Sequence, residues 1–256
     1  MYDIMSKSII RAAHMIMIRI KEVNEMLLEV IATTVGDAIM AERGGADRIE
    51  LITAIREGGL TPSIGLIDRV REAVSIPVRV MVRPHARSFY YDQEDIETMR
   101  RDIKEIGSIG DLGIVIGMLK QDSTIDEVNL QYLLDAADGM EVTFHRAFDE
   151  VRDQSEALDV LLRYPQITDI LTSGGCHSAL EGADQLAKLT SMTVGKSISI
   201  LAGAGLTGQS LESFLQHSGV SRVHFGSAVR QGGDPMKAID AERLQFIRTI
   251  LNQSIR

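Results

Sequence analysis

Charged and titratable side chains interrupt several short apolar runs of this sequence. Glu29, Glu50 and His224 each stand between two apolar residues, and His145 and Arg146 close a further run that begins at residue 142. A histidine can donate or accept a proton near neutral pH, a carboxylate can act as a base, and an arginine can bind an anion at two points. Glu29, Glu50, His145 and Arg146 are therefore the candidate catalytic residues, and they predict proton transfer on a small anion.

A second set of polar or small residues stands where short apolar runs end. The expected ligand-binding residues are Arg83, Thr172, Ser173, Gly203, Gly205, His224 and Gly226. Arg83 could clamp a carboxylate or a phosphate, and the two hydroxyls could contact the same ligand. The glycines leave two interpretations open: they let backbone N–H groups approach a phosphate, or they only turn a strand into a helix.

The rest of the chain predicts the elements that bring these residues together. From residue 27 onward, short apolar runs alternate with longer amphipathic stretches, which is typical of βα units around a parallel sheet. We predict eight strands, over residues 27–32, 48–52, 78–83, 112–118, 141–146, 169–172, 197–203 and 222–226. Eight units of about 29 residues favour a single α/β domain, a (β/α)8 TIM-type barrel, over an open doubly wound sheet with a glycine-rich first turn.

Three helix starts carry recognisable signals. Thr61 and Pro62 match a cap followed by a proline in the first turn, and Asp92 precedes an amphipathic run that includes Ile96. Residues 178–181 (SALE) match a capping box. We therefore predict a helix that begins next to each of these three signals.

Along a barrel strand, alternate side chains face the helices and the interior. Because apolar residues occupy the helix-facing positions, the side chains between them are predicted to point inward. The predicted interior residues are Glu29, Glu50, Arg79, Met81, Arg83, Glu141, Thr143, His145 and His224. Two interpretations of the charges remain open: Arg79 and Arg83 neutralise Glu29 and Glu50 as a structural plug, or the charges are held for a ligand at the carboxyl ends of the strands.

Composition excludes several classes of protein. The 256 residues are 45% hydrophobic and 25% charged, which is typical of a globular chain. A net charge of -9 argues against nucleic acid as a partner, because binding a phosphate backbone requires clustered Lys and Arg. No apolar run reaches the length of about 18 residues that a membrane span needs. A single cysteine favours a reducing, cytoplasmic location.

Residues 1–25 precede the first predicted strand and need a separate interpretation. Lys7 and Arg11 stand before Ala12, Ala13 and a run of Met and Ile, as in a signal peptide, but no small-residue cleavage site follows. We expect an extension that is helical, or a start set too early with Met26 as the natural beginning. The predicted organisation is an N-terminal extension, 1–25, and one barrel, 26–256.

Six motifs of this chain together resemble the CutC family. They are GGADRIEL (44–51), EGGLTPS (57–63), MVRP (81–84), TFHRAFD (143–149), LTSG (171–174) and SALEG (178–182). The resemblance runs from residue 27 to about residue 235. It implies a CutC-like (β/α)8 barrel, a cytoplasmic location, a homodimer and a role in copper homeostasis.

Copper is the cofactor that this resemblance implies, so the soft ligands of the chain matter. Some family members, notably animal ones, carry cysteines at the ends of the first two strands, a thiolate pair suited to Cu(I). Here these positions hold Ile31 and Ile52. Cys176 and His177 remain as candidate metal ligands, whereas most methionines beyond the N-terminal segment stand at positions typical of core packing.

Two functions from different classes follow. The first, implied by the resemblance, is a cytoplasmic protein that binds or handles copper. The second is a TIM-barrel enzyme that acts on a small anionic or phosphorylated metabolite. In the second, Arg83 and Arg146 bind the anion, His145 transfers protons, and Glu29 and Glu50 act as base or position the substrate. Tight Cu(I) binding would favour the first function, and loss of turnover on replacing His145, with no metal requirement, would favour the second.

Overall fold

Eight parallel strands close into a barrel in the computed structural model, which describes residues 26–254. Each strand pairs with the next one along the chain, and β8 pairs with β1. The strands are β1 (Leu27–Ala32), β2 (Arg48–Leu51), β3 (Val78–Met81), β4 (Gly113–Ile116), β5 (Val142–Phe144), β6 (Ile167–Thr172), β7 (Ser199–Ala202) and β8 (Arg222–Phe225). The predicted (β/α)8 barrel is confirmed, whereas the extension predicted at residues 1–25 lies outside the described residues.

A helix follows each strand. The helices are α1 (Val35–Arg43), α2 (Ile64–Ala73), α3 (Gln93–Ile109), α4 (Glu127–Ala137), α5 (Gln154–Leu161), α6 (Ala183–Thr193), α7 (Gly208–Ser218) and α8 (Ala241–Gln253). Strand residues such as Leu28 and Val30 share one core cluster with helix residues such as Leu244 and Ile247, all of them buried. Each such side chain contributes about 1.5–3 kcal/mol when it leaves water. No helix of residues 26–254 is long and apolar enough to cross a membrane.

Two of the three predicted helix starts are close to the observed ones. α3 begins after Asp92, which caps it as predicted. α2 begins at Ile64 rather than beside Thr61 and Pro62, because Ser63 provides the cap. The Thr61 hydroxyl instead exchanges hydrogen bonds with the backbone at the end of β3.

The capping box predicted at residues 178–181 is wrong. The Ser178 hydroxyl accepts a hydrogen bond from the Glu181 N–H at 3.3 Å, but α6 begins only at Ala183. Gly182 precedes this helix without a side-chain cap, and a Cβ there would overlap the Ser173 carbonyl oxygen. The chain therefore packs one turn against the loop after β6 before the helix starts.

The inward and outward alternation of the strand residues is as predicted, with one exception. Glu29 and Glu50 are buried inside the barrel, between neighbours that pack against the helices. Glu141 was also predicted to lie inside, but its side chain is 70% exposed. β5 begins only at Val142, so Glu141 lies at the open amino-terminal end of the barrel, where water reaches it.

Candidate functional site

A cavity of about 910 Å³ opens at the carboxyl ends of the strands, the end at which barrel enzymes bind their ligands. Of the predicted site residues, those that line it are Glu50, Arg83, His145, Arg146, Cys176, Gly205, His224 and Gly226. Glu29, Thr172 and Ser173 are fully buried behind these residues. The structure therefore brings most of the predicted site residues to one cavity.

Beneath this cavity, the interior holds a network of ion pairs. Arg48 donates through Nε to Glu29 Oε2 at 2.5 Å and through Nη1 to Asp169 Oδ2 at 2.9 Å. Arg222 Nη1 donates to Asp169 Oδ1 at 2.7 Å, and Arg79 Nη2 lies 3.7 Å from Asp169 Oδ2. We call these five residues the basal network. Because each buried charge has an opposite partner, the network has a structural role.

The predicted neutralisation of the interior glutamates by Arg79 is wrong. Arg79 Nη2 donates to Glu141 Oε2 at 2.6 Å, at the amino-terminal end of the barrel. Arg48 stands opposite Glu29 in the β1–β2 register and neutralises it instead. Pairing across neighbouring strands therefore decides which arginine meets which carboxylate.

His224 joins two glutamates at the inner end of the cavity. Its Nδ1 lies 2.7 Å from Glu29 Oε1, and its Nε2 lies 3.8 Å from Glu50 Oε2. Glu50 Oε1 is buried and has no hydrogen-bond partner within residues 26–254. One ligand atom from each of these three residues lies within 4.8 Å of the others. We call this group the Glu–His cluster, and its donor atoms could hold a metal ion.

Burial and pairing move the pKa values within this cluster apart. Burial alone would raise the pKa of Glu29, but Arg48 and His224 hold it at about 2. Burial raises the pKa of Glu50 to about 7, against the attraction of His224. Burial would lower the pKa of His224, but Glu50 and Glu29 raise it above its ordinary value. Glu29 is therefore a permanent carboxylate, and Glu50 can exchange a proton near neutral pH.

The buried ring of His145 is held in one protonation state. Its Nδ1 accepts a hydrogen bond from the Ala147 N–H at 3.1 Å, so the proton of the neutral ring resides on Nε2. Burial, and next the charge of Arg83, lower the pKa of this ring to about 3. Nε2 is buried without a partner in the described part of the chain. His145 is therefore a neutral hydrogen-bond donor near neutral pH, which differs from the acid/base role expected from the sequence.

Arg83 lies beside His145 and has no acidic partner within the described residues. Its Nη1 donates to the carbonyl oxygens of Glu57 and Gly59, at 3.1 and 3.3 Å. Its guanidinium carbon lies 4.7 Å from the centre of the Phe89 ring, and the His145 ring centre lies 4.9 Å from the same point. The expected pair between Arg83 and an interior glutamate is not formed, because the side chain turns toward the loop after β2.

The loop after β6 is organised around Asp149. This carboxylate accepts hydrogen bonds from the Thr172 hydroxyl at 2.5 Å and from the N–H groups of Ser173 and Gly175 at 3.0 Å. Arg146 Nε donates to Asp149 at 2.7 Å, and Arg146 Nη2 donates to the Ser173 hydroxyl at 3.0 Å. The hydroxyls predicted as ligand contacts thus bind within the protein, although Arg146 still lines the cavity.

Packing explains the three glycines that were candidates for a phosphate site. A Cβ at Gly203 would come within 2.7 Å of Leu171, and one at Gly226 within 3.0 Å of Ile31. Gly205 has a φ of 73°, a conformation that favours glycine, and a Cβ there would come within 2.7 Å of the Ser178 side chain. Of the two interpretations left open by the sequence, close packing at a turn accounts for all three, and the phosphate interpretation stays a prediction.

Comparison with known proteins places this barrel in a family. The CutC family model matches residues 26–229. The chain belongs to the CutC family. A human relative, the copper homeostasis protein cutC homolog, is 41% identical over 201 residues, which are 78% of this chain and 73% of that protein. A family protein CutC from Agrobacterium fabrum is 38% identical over 242 residues, 89% of this chain and 94% of that protein.

Solved structures agree with the family and with the fold. The crystal structure of a putative copper homeostasis protein CutC from Streptococcus agalactiae is 28% identical, covers 78% of this chain and 97% of that one, and superposes with a TM-score of 0.73. Phosphoribosyl anthranilate isomerase from Thermococcus kodakaraensis is 15% identical, covers 88% of this chain and 98% of that one, and has a TM-score of 0.59. The second likeness shows the barrel fold alone.

The positions of the thiolate pair found in some CutC members are apolar in this chain. Ile52 packs with Met81 and Val115 in a small buried cluster, and Ile31 packs against it. Cys176 lines the cavity, and His177 is exposed on the same loop. Within residues 26–254, the one group of three metal-ligating side chains is the Glu–His cluster, which includes neither of them.

Three functional or supporting residues were not singled out in the sequence. Arg48 shares the inward parity of Glu50 on its strand, and Asp169 precedes Ile170, which packs in the main core, so strand alternation could have found both. Asp149 stands inside the motif TFHRAFD, but nothing in the sequence shows that it gathers the loop after β6. Most of their partners, other than Arg146 and Thr168, are distant in sequence.

Proposed function

We propose that this chain acts in copper homeostasis, in the cytoplasm and as a homodimer. The family relationship carries the proposal, because a human relative that is 41% identical over 78% of this chain is named a copper homeostasis protein cutC homolog. A single chain weighs 28.1 kDa, so light scattering should find about twice this mass for the homodimer.

The donor atoms of this chain decide which form of copper could bind. Cu(I) prefers soft thiolate and thioether ligands, whereas Cu(II) accepts imidazole nitrogen and carboxylate oxygen. Ile31 and Ile52 offer no ligand atoms, so the residues present do not fit a Cu(I) thiolate pair. Glu50 and His224 fit Cu(II), and Glu29 would orient the imidazole from behind, as a carboxylate does in many metal sites. The copper form that this chain fits is therefore Cu(II).

We expect Glu50→Gln to weaken Cu(II) binding by about tenfold or more, because a neutral amide is a weaker ligand and attracts the ion less. Cys176→Ser, which removes the one thiol of the chain, should leave the Cu(II) affinity unchanged. Both variants and the parent are titrated with Cu(II) against a competing chelator, and anaerobically with Cu(I). The assignment to Cu(II) would be contradicted if the parent bound Cu(I) more tightly than the chelator does and if Cys176→Ser lost this binding. If the parent competes with the chelator for neither Cu(II) nor Cu(I), direct copper binding is removed from the proposal.

A second function is favoured by a specific observation. The cavity is lined by Arg83 and His145, and the buried N–H groups at Arg83 Nε and His145 Nε2 have no partners within the described residues. We propose that this cavity binds a small anionic metabolite, as a ligand or as a substrate. Donors that are buried without acceptors cost free energy, and an anion in the cavity would satisfy them. Glu50, with its pKa of about 7, supplies a group that can exchange a proton with such a ligand.

Thermal unfolding with a panel of carboxylated and phosphorylated metabolites tests this second function. A ligand present at 100 times its dissociation constant stabilises the native state by about 2.7 kcal/mol, so the midpoint should rise by about 5–10 °C. Arg83→Met should abolish the rise, because it removes the buried charge and keeps much of the side-chain volume. Metabolites that raise the unfolding midpoint of Arg83→Met as far as that of the parent would show that the ligands bind elsewhere.

A further inference from the structure

Arg83 differs from the other buried arginines of residues 26–254 because it lacks a counter-charge. Arg48, Arg79 and Arg230 are equally buried, and each pairs with a carboxylate at 2.9 Å or less. Arg83 is 7% exposed and forms no ion pair within the described residues. Two backbone carbonyl oxygens and the Phe89 ring face its guanidinium, but they carry no net charge. A buried charge without a partner is costly, so the cavity presents one uncompensated positive charge.

The free hydrogen-bonding atoms of this charge and its neighbour are both donors. Arg83 Nε and His145 Nε2 are buried without partners among the described residues. The Ala147 N–H occupies His145 Nδ1, so the ring can offer only its Nε2–H to a ligand. Both side chains contact the Phe89 ring and line the same cavity. The pair therefore offers only donors, namely the two buried N–H groups and the N–H groups of Arg83 Nη2, together with one positive charge.

We propose that Arg83 and His145 form a binding site for one carboxylate group of the ligand, with Arg83 Nε–H and His145 Nε2–H as its donors. The inference rests on the second proposed function, the binding of a small anionic metabolite, and it names the chemical group recognised. The same pair would hold the carboxylate in place while Glu50 faces the remainder of the ligand from β2. His145 is a binding residue in this site and transfers no proton.

The single positive charge of the pair favours a carboxylate over a phosphate. A carboxylate carries one negative charge and two oxygens, which match the charge of one guanidinium and the two buried free N–H groups. A phosphate ester carries about two negative charges, and one guanidinium balances only one of them. Arg83 Nη1 already donates to the carbonyl oxygens of Glu57 and Gly59, which leaves Nη2 as the further donor of this side chain. Arg146, the second cation expected to bind the anion, is paired with Asp149.

Nitrogen NMR of the histidine rings tests the donor state without any ligand. In protein labelled with ¹⁵N-histidine, the His145 ring should show a protonated Nε2 and an unprotonated Nδ1 between pH 5 and 8. His145→Gln identifies its signals by their loss. A ring protonated at Nδ1, or one that titrates in this range, would overturn the proposal.

Titration with sodium acetate, sodium malonate and inorganic phosphate at constant ionic strength then tests the ligand class. We expect a carboxylate to shift the His145 Nε2–H signal in a saturable way, and phosphate to leave it in place. Arg83→Lys and His145→Phe should each weaken carboxylate binding by about tenfold or more, since each removes a donor to a charged acceptor. His145→Gln, whose amide offers an N–H, should retain more affinity than His145→Phe.

Matched controls come from surface residues of the same kinds. Arg100 stacks on Tyr132 on the outer helices, and its guanidinium carbon lies 5.2 Å from the centre of the ring. Arg100→Lys is therefore the control for Arg83→Lys. His217, exposed on α7, controls for the histidine variants. Binding of phosphate but not of either carboxylate would overturn the carboxylate assignment and leave the small-anion function standing. No shift with any of the three anions, together with no stabilisation by the metabolite panel, would overturn both.

Discussion

Replacing Asp169 with asparagine should lower the free energy of unfolding by about 3–5 kcal/mol, because it removes one partner of a fully buried ion network. Asp169 accepts hydrogen bonds from Arg48 and Arg222 and lies 3.7 Å from Arg79. Burial would raise the pKa of this carboxyl, but the three arginines, Arg48 first, hold it far below its usual value. The amide of the new side chain would keep the shape and lose the charge, so Arg48 and Arg79 would each keep one carboxylate, Glu29 and Glu141, while Arg222 would lose its ion-pair partner.

Urea unfolding at pH 7 measures this effect. Asp184→Asn is the matched control: Asp184 pairs with His217 on the surface and is 96% exposed. It should change the free energy of unfolding by less than about 0.5 kcal/mol. Thr168→Ala, which removes one hydrogen bond to Asp169 Oδ2, should give an intermediate loss of about 1 kcal/mol. A stability for Asp169→Asn within about 1 kcal/mol of the parent would show that water or local movement compensates the arginines.

The barrel could be predicted because its signals are local. Each strand alternates apolar and polar residues over a few positions, and this alternation assigned Glu29, Glu50 and His224 to the interior without knowledge of any neighbour. The pairing of charges could not be predicted in this way. Arg48 meets Glu29 because β1 and β2 are staggered by the shear of the barrel, and the sequence of neither strand contains that stagger.

The candidate site shows the same division between local and distant causes. That His145 ends a strand near the cavity follows from the sequence pattern. Its protonation state depends on the Ala147 N–H, which folds back onto Nδ1, and on Arg83, which comes from the end of β3. The role of a histidine changes from acid/base to neutral donor through such contacts. Residue type and strand position could therefore locate the site but not assign the chemistry of each group.

Replacing His145 with glutamine should reduce the acid sensitivity of the protein, because the native ring resists protonation. Burial lowers its folded pKa to about 3, below the ordinary value of 6.5, so the unfolded chain takes up the proton first as the pH falls. The stability that the neutral ring contributes is thus complete above pH 6.5 and is lost between pH 6.5 and 3. From pH 7 to pH 5 the parent should lose about 2 kcal/mol more than His145→Gln, which does not titrate.

The measurement is the difference in the free energy of unfolding between parent and variant, taken at pH 7, 6 and 5 by urea denaturation. Acidic groups such as Glu29 and Asp169 act on both proteins, so their contributions cancel in this difference. His177→Gln, on an exposed loop, should follow the parent closely because an exposed ring interacts weakly with the rest of the fold. Parallel curves for parent and His145→Gln would mean that the native ring takes up a proton as readily as the unfolded chain does. A ring that does so cannot be the neutral donor that the carboxylate site requires.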